Sequence, residues 1–331
     1  MASVRLAALS GASRPTSPPA SLLEPAGAGP SRHRRDTGTR VPVIAPRLAL
    51  LALLAGAAAL GFSPIAVRLS ELGPSATAFH RVALALPVLW LATRLVLAAE
   101  QRPQLTRRDH FWMALAGVFF AADLALWHWS IHLTTVANAT LFSNFAPIFV
   151  TAGAWMLLRE RITGGFLAGG LCALAGAMLL MRGSAAAGGG ALLGDLLGLS
   201  TAVFYGAYLV SVKGLRERLP ASVVMLWSGV AMSVVLLVVA VVSGESLWPQ
   251  TARGWAVLLA VAWLSHAAGQ GLIAWALKHL PASFTSVTLL LQPLVAAVLA
   301  WVLFEEALGP LQAAGAALVL AGIVWARRSS A

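Results

Sequence analysis

The sequence contains few of the residues that cover the surface of a soluble protein. Only 11% of its 331 residues are charged and 12 residues are acidic, whereas an average soluble domain is about 25% charged. The single cysteine, Cys172, excludes an intramolecular disulfide, and its apolar surroundings indicate a packing residue. Hydrophobic residues make up 59% of the chain. This composition is typical of a protein that lies in lipid.

Sequence motifs of several enzyme classes are also missing. The chain has no glycine-rich phosphate-binding loop, no nucleophile elbow and no HExxH pair, which argues against an ATP-driven machine and against a protease. His80, His128 and His132 are not spaced with acidic residues in the way that metal ligands are. We therefore predict no metal site, no cofactor and no enzymatic activity.

The net charge of +11 does not come from one basic patch. Seven of the 23 lysines and arginines lie in the first 47 residues, and most of the others flank apolar segments. This pattern indicates orientation in a bilayer and argues against a nucleic-acid partner. Residues 1–46 are rich in Pro, Ser, Gly, Ala and Arg. We expect a disordered cytoplasmic tail there, with an organellar transit peptide as the alternative.

Ten apolar segments are long enough to cross a bilayer, for which a helix needs about 20 residues. Glycine and proline lie in or beside the gaps between them. Numbered in chain order, the predicted helices 1 to 10 span 47–69, 75–98, 111–132, 135–158, 163–182, 193–213, 221–243, 254–277, 281–304 and 309–327. The sequence therefore predicts an all-α integral membrane protein.

Part of the chain is repeated without gaps. Trp129–Arg182 aligns with Trp275–Arg328 at a constant offset of 146 residues. Matched landmarks include Pro147 with Pro293, Trp155 with Trp301, and Glu160 with Glu306. Each half, 47–182 and 193–328, holds five predicted helices, and residues 183–192 form a Gly/Ala-rich linker. Because five is odd, the second repeat crosses the membrane inverted relative to the first, as in many transporters.

Basic residues predict the orientation of the bundle. With the N-terminus inside, twelve lysines and arginines lie in cytoplasmic segments and three in exterior segments. The twelve are Arg94, Arg102, Arg107, Arg108, Arg159, Arg161, Lys213, Arg216, Arg218, Lys278, Arg327 and Arg328; the three are Arg68, Arg182 and Arg253. The positive-inside rule then predicts that both termini are cytoplasmic. A bacterial inner membrane is the expected location.

These motifs together resemble the EamA-type transporters of the drug/metabolite transporter superfamily. The resemblance covers about residues 47–328. It rests on the five-plus-five helices, on Phe79-His80-Arg81, on the stretches from Pro147 through Glu160 to Gly176 and from Pro293 through Glu306 to Gly322, and on Gly194-Asp195. The resemblance implies secondary active transport of a small organic solute, often export, through a cavity between the halves.

Other functional classes remain open from the sequence. A channel or a non-transporting membrane scaffold is the main alternative to a carrier, and an intramembrane enzyme is a weaker one because no catalytic dyad is evident. Inverted duplication favours the carrier, since alternating access uses it directly. The expected partners are a small-molecule solute and the lipid bilayer, with a homodimer as an open alternative to a monomer.

Asp123 and Arg81 are the two charged residues predicted to lie deep in the membrane. An ionised carboxylate within a transmembrane segment costs several kcal/mol unless it is paired or hydrated. Both residues lie toward the same side of the membrane, within reach of each other for a long arginine side chain. Two interpretations remain open, a substrate or proton site and a buried structural ion pair.

Several uncharged residues are also candidates for the lining of a cavity. Helical spacing places polar or aromatic groups on shared faces of helices 3, 4, 6, 8 and 9. These candidates are Trp127, Thr140, Asn144, Tyr205, His266, Gln270 and Gln292. Hydrogen bonds between helices are the alternative role. Pro147 and Pro293 are candidate helix kinks, and Glu160 and Glu306 are candidate gating residues at opposite faces.

Overall fold

The computed structural model describes residues 44–99, 103–133, 136–182, 192–305 and 309–330. All regular elements in these ranges are helical, and ten helices are long and apolar enough to cross a membrane. The predicted all-α membrane fold is confirmed. Most of the expected tail, from residue 1 to residue 43, lies outside the described residues, as do nearly all of the linker and Glu306.

The ten helices are numbered in chain order, as in the prediction. Helices 3, 5, 6, 7 and 10 are continuous and comprise Arg107–Leu133, Gly164–Arg182, Leu192–Arg216, Ala221–Val242 and Pro310–Arg328. Helices 1, 2, 4 and 9 consist of two pieces each: Ile44–Gly61 with Ser63–Leu69, Pro74–Ala83 with Leu86–Ala99, Val136–Ser143 with Ala146–Leu158, and Ala282–Thr288 with Leu291–Phe304. Helix 8 is α-helical over Ala252–Ala260, π-helical over Val261–Gln270 and α-helical again over Gly271–Ala276.

Helix 3 begins earlier than its apolar composition predicts, at Arg107 and not at 111. Thr106 donates from its backbone N–H and its hydroxyl to one carboxylate oxygen of Asp109, at 2.9 and 2.7 Å. The backbone N–H of Asp109 donates back to the Thr106 hydroxyl oxygen at 3.2 Å. This reciprocal capping satisfies N–H groups that the first turn of a helix leaves without partners. It therefore extends the helix into a charged stretch.

Helices 4 and 9 share two irregularities. Each is interrupted a few residues before its proline, Pro147 or Pro293, because proline has no N–H to donate and its ring clashes with the carbonyl four residues earlier. Each also ends at a non-glycine residue with left-handed backbone, Arg159 with φ 57° and Glu305 with φ 56°. Both pairs are 146 residues apart. The sequence repeat is therefore also a repeat of backbone geometry.

Glycines of helices 5 and 10 show how the two halves are related. Gly169 packs on Gly322 and Gly176 packs on Gly315, so closely that a Cβ on any of the four would lie 2.6–2.9 Å from the partner's carbonyl oxygen. The early part of helix 5 thus meets the late part of helix 10, and the two helices are antiparallel. A shift of 146 residues exchanges the two contacts. Equivalent helices that are antiparallel require a two-fold axis in the membrane plane, so the repeats are inverted.

Helix direction alternates along the chain and defines two faces of the bundle. We call the face where helix 1 begins at Ile44 and helix 10 ends at Arg328 the terminal face, and the opposite one the distal face. The packing of helices follows the repeat. Helix 3 packs on helix 6, and their counterparts in the other half, helix 8 and helix 1, also pack on each other. Trp155 and Trp301, which are equivalent in the repeat, are more than half exposed on the outer surface, as expected for side chains that face lipid.

Candidate functional site: a cavity between the two repeats

A cavity of about 910 Å³ lies between the two halves. Arg68, Pro74 and Gln312 line its outer part and belong to the distal ends of their helices. Gln270 and Ser286 line its inner part. Within the described residues, none of the lining side chains comes from a helix end at the terminal face. The cavity therefore extends from the distal face into the middle of the bundle and stops there.

The structure brings most of the sequence-predicted site residues together in this cavity. Its lining includes Arg81, Asp123, Trp127, Thr140, Asn144, Tyr205, Gln270 and Gln292, together with the two prolines Pro147 and Pro293. These residues come from helices 2, 3, 4, 6, 8 and 9. Residues from both repeats therefore converge on one space.

Two predicted site residues lie elsewhere. His266 is fully buried and does not line the cavity. Its ring stacks on Phe120, which does line it, with ring centroids 6.0 Å apart and an interplanar angle of 20°. The π-helical stretch that contains His266 changes the helical spacing on which the prediction rested. Glu160 lies at the terminal face, well away from the cavity.

The Arg81 guanidinium is held by two serines that sequence reasoning did not identify. Its Nη1 donates to the Ser63 hydroxyl at 2.8 Å, and its Nη2 donates to the Ser265 hydroxyl at 3.3 Å. Arg81 is 7% exposed, and its Nε has no hydrogen-bond partner in the described part of the chain. Helices 1 and 8 thus fix the position of a buried cation beside the cavity, and one of its donors stays unpaired in the described part of the chain.

Asp123 and Arg81 do not form the direct ion pair that the sequence allowed. The guanidinium binds the two serines, although the two charges are near enough to interact through space. Asp123 is half-buried and lines the cavity. Its side chain therefore faces space that a solute or water can enter, and the two groups are held separately and do not form the structural ion pair that the sequence left open.

The terminal face is closed by a contact that we call the terminal latch, formed by Glu160, Ala282 and Ser283. The carboxylate of Glu160, which follows helix 4, accepts hydrogen bonds from the first residues of helix 9: from the N–H of Ala282 at 2.6 Å, and from the N–H and hydroxyl of Ser283 at 3.1 and 2.6 Å. A carboxylate is especially favourable at a helix N-terminus, where unpaired N–H groups meet the positive end of the helix dipole. The terminal latch joins the two repeats on the side away from the cavity mouth.

At the distal face, two other carboxylates join the repeats. Glu245 accepts hydrogen bonds from the N–H groups of Ser75 and Ala76 at 3.1 and 2.8 Å. Glu71 accepts from the Thr251 hydroxyl and from two backbone N–H groups beside it, and these hydrogen bonds lower the pKa of the Glu71 carboxyl. The first contact connects the loop between helices 7 and 8 to the start of helix 2. The second connects the loop between helices 1 and 2 to the start of helix 8. The cavity mouth lies beside these contacts, because Arg68 and Pro74 line its outer part.

These features define the class of protein. A multi-pass helical membrane protein with two inverted repeats and a central cavity open to one face is a transporter of small solutes. The EamA-like transporter family matches residues 47–182 and 192–328, and the chain belongs to that family. The resemblance inferred from the sequence is therefore confirmed.

The proteins similar to the chain include a named exporter and a solved structure. A "probable terminal-alkyne amino-acid exporter" from Streptantibioticus cattleyicolor is 30% identical over 273 residues, covering 81% of this chain and 88% of the relative. A solved crystal structure matches with a TM-score of 0.71 at 18% identity and covers 86% of this chain and 96% of that chain. At that identity, the crystal structure supports the fold alone.

Proposed function

We propose that this protein is a secondary active exporter of zwitterionic, amino-acid-like solutes. The observation that carries the proposal is a cavity with a buried arginine and a separate, accessible carboxylate in its lining, Arg81 and Asp123. A solute that carries both a carboxylate and an ammonium complements these two charges. The amino-acid exporter named among the relatives supports the same substrate class.

In this proposal the two inverted repeats allow the transporter to alternate between a state open to the distal face and a state open to the terminal face. The terminal latch holds helix 9 against the end of helix 4 while the cavity is open to the distal face. In the opposite state the terminal face opens and the distal parts of the same helices come together. Pro147 and Pro293 place flexible interruptions beside the cavity in both moving helices. The positive-inside rule makes the terminal face cytoplasmic and the observed state outward-open.

Proton exchange at Asp123 supplies the driving force. In the outward-open state the solute ammonium leaves the carboxylate and a proton from the exterior takes its place. The protonated, neutral side chain then returns to the inward-open state, where an incoming solute displaces the proton to the cytoplasm. One proton enters for each solute that leaves. The two cations compete for one carboxylate, so both are not carried together.

The test uses the full-length protein in liposomes and labelled glutamine and methionine. A proton gradient should drive transport, and unlabelled solute on the opposite side should accelerate exchange. Asp123→Asn should abolish gradient-driven transport in a folded protein, whereas Glu217→Gln, which changes a largely exposed acid at the surface, should leave it intact. Gradient-driven transport by Asp123→Asn at the wild-type rate contradicts proton coupling at this residue.

A channel is the second candidate function, because a cavity in a membrane protein can also be part of a pore. The closed terminal face argues against a continuous pore in this state. The same liposomes distinguish the two functions, because only a carrier is accelerated by solute on the opposite side. Flux that is proportional to the concentration gradient and insensitive to that solute would identify a channel.

A further inference from the structure

Unpaired polar groups are concentrated at the inner end of the cavity. In the described part of the chain, seven buried side-chain nitrogen or oxygen atoms have no hydrogen-bond partner in the protein. Six of them belong to Arg81, Tyr205, His266 and Gln270, and the seventh is the hydroxyl of Ser222. Unpaired buried polar atoms are rare in proteins, so a local concentration of them requires a reason.

Other buried polar side chains in the bundle satisfy themselves within the protein. Ser130 donates to the carbonyl of Gly194 at 2.7 Å, and Thr288 donates to the carbonyl of Phe284 at 3.0 Å. Ser228 likewise donates to Val224 at 2.7 Å. In the described residues, six of the seven unpaired atoms thus lie at the cavity end or directly behind it, and the Ser222 hydroxyl is the exception.

Gln270 is the central member of this group. It is 1% exposed and lines the cavity, and both its amide oxygen and its amide nitrogen lack partners. The Tyr205 hydroxyl lies near the amides of Gln270 and Gln292, but without a hydrogen bond of regular geometry. His266, which precedes Gln270 on helix 8, has two unpaired ring nitrogens behind Phe120.

The chemistry of these groups restricts what can satisfy them. An amide needs both an acceptor for its NH₂ and a donor for its oxygen, and a phenol hydroxyl can act in either role. A carboxylate ligand would satisfy only the donors and would meet the Gln270 oxygen with a second acceptor. An apolar ligand would satisfy none of them. A neutral group that both donates and accepts satisfies the two members that line the cavity and need both roles, Gln270 and Tyr205.

We propose that Gln270 and Tyr205 form a subsite for a neutral hydrogen-bonding group on the side chain of the solute, a carboxamide or a hydroxyl. The inference rests on the proposed function, in which Arg81 and Asp123 bind the zwitterionic part. The transporter then prefers polar, uncharged amino acids to apolar ones of the same shape. A site built to hydrogen-bond a polar group discriminates against an analogue without it, because its own buried groups are left unpaired.

The test is counterflow of two matched pairs of solutes, glutamine with methionine and threonine with valine. Wild-type protein in liposomes should prefer the polar member of each pair by about 10-fold or more. Gln270→Met, which keeps the length of the side chain, should bring the glutamine-to-methionine ratio close to one. Tyr205→Phe removes only the hydroxyl and should lower the same ratio. Ser222→Ala, at an unpaired hydroxyl outside the cavity lining, should leave both ratios unchanged.

Each outcome has a distinct meaning. Equal transport of the paired solutes by the wild type, or an unchanged ratio in both Gln270→Met and Tyr205→Phe, overturns the subsite and leaves the proposed function standing. An unchanged ratio in both variants would show that Gln270 and Tyr205 do not set the preference among solutes. Absence of transport for all four solutes overturns the proposed function and the subsite with it. Thermal unfolding of the purified variants identifies any loss of transport that comes from misfolding.

Discussion

At the repeat offset of 146 residues, Arg81 of the first half corresponds to Trp227 of the second, and Asp123 corresponds to Gly269. Neither counterpart lines the cavity: Trp227 packs edge-on against His110, and Gly269 lets helix 8 approach Leu60 of helix 1. The charged lining is thus concentrated in the first half. The second half contributes Gln270 and Gln292, whose counterparts are the apolar Leu124 and Ala146.

The residues that are identical in the two halves include prolines and glycines of the helical framework, but not the charged residues of the cavity. Pro147 matches Pro293, and the glycines of helix 5 match those of helix 10. These residues interrupt helices or allow close packing of backbones. The comparison indicates that the shared residues maintain the framework and its two related conformations. The divergent residues give the cavity its chemistry.

Replacing Arg81, the buried cation at the cavity, should have the largest effect. In Arg81→Gln the amide can still donate to Ser63 or Ser265, but the positive charge beside the cavity is lost. We expect the transport rate for zwitterions to fall by about 100-fold, the scale of losing one partner of a desolvated charge pair. Flux measurements in liposomes check this expectation. Arg94→Gln, which removes an outer arginine that stacks on Trp90, is the matched control, and wild-type flux in Arg81→Gln would refute the assignment.

The second-largest effect should be a loss of stability when a glycine at the contact between helices 5 and 10 is replaced. In Gly322→Ala the new Cβ would lie 2.3 Å from the backbone nitrogen of Ala173, which cannot move aside as a side chain can. Overpacking of this kind costs about 1–3 kcal/mol. The midpoint of thermal unfolding in detergent should fall by several degrees. Gly170→Ala, on helix 5, gains only an ordinary 3.4 Å contact with Val287, so an equal effect in both variants would argue against the close glycine contact.

The terminal latch should control the balance between the two conformations. Glu160→Gln keeps the shape of the side chain but weakens charge-assisted hydrogen bonds to the start of helix 9. We expect the population to shift toward the terminal-open state by about 10-fold, equivalent to about 1.4 kcal/mol. In a Cys172→Ser background, labelling of Ser286→Cys by an impermeant maleimide from each side measures this shift. Unchanged labelling from both sides would show that Glu160 is not a gating residue.

Removing the Ser283 hydroxyl should shift the balance between the two conformations by a smaller amount. Ser283 donates a second hydrogen bond to Glu160 through its hydroxyl, whereas its counterpart in the first half is Ala137. Loss of one such bond in Ser283→Ala costs about 1 kcal/mol, so we expect a shift of about five-fold in the same labelling assay. Thr285→Val is the control, because the Thr285 hydroxyl bonds within its own helix to Pro281. Equal shifts in both variants would exclude a specific role of the Ser283 hydroxyl.

Hydropathy, charge and helical periodicity predicted the ten helices and placed eight of the nine candidate residues in the cavity, because these signals depend on local pattern. The breaks in helices 4 and 9 were also predictable, since Pro147 and Pro293 are visible in the sequence. The Ser63 and Ser265 contacts of Arg81 were not, because they depend on how helices 1, 2 and 8 rotate relative to one another. Between Ser265 and Arg81 the chain runs for 184 residues, and no local pattern encodes such a contact.

Two further differences have local causes that hydropathy does not detect. The mutual hydrogen bonds of Thr106 and Asp109 move the start of helix 3 into a charged segment. The π-helical stretch in helix 8 places His266 behind Phe120, whereas Gln270 reaches the cavity. In both cases the hydrogen bonds of the backbone, and not the apolar character of the segment, decide where the helix begins or which side chain reaches the cavity.

The contact between helices 5 and 10 has a consequence for the ancestry of the fold. Because Gly169 meets Gly322 as Gly315 meets Gly176, the contact surface is complementary to a copy of itself. A single five-helix protein with this surface can pair with a second molecule inserted the opposite way up, as an isologous dimer. Fusion of two such genes fixes the opposite orientations in one polypeptide. From that point the copies no longer have to be identical, and a cation can arise in one half without a repelling duplicate facing it from the other.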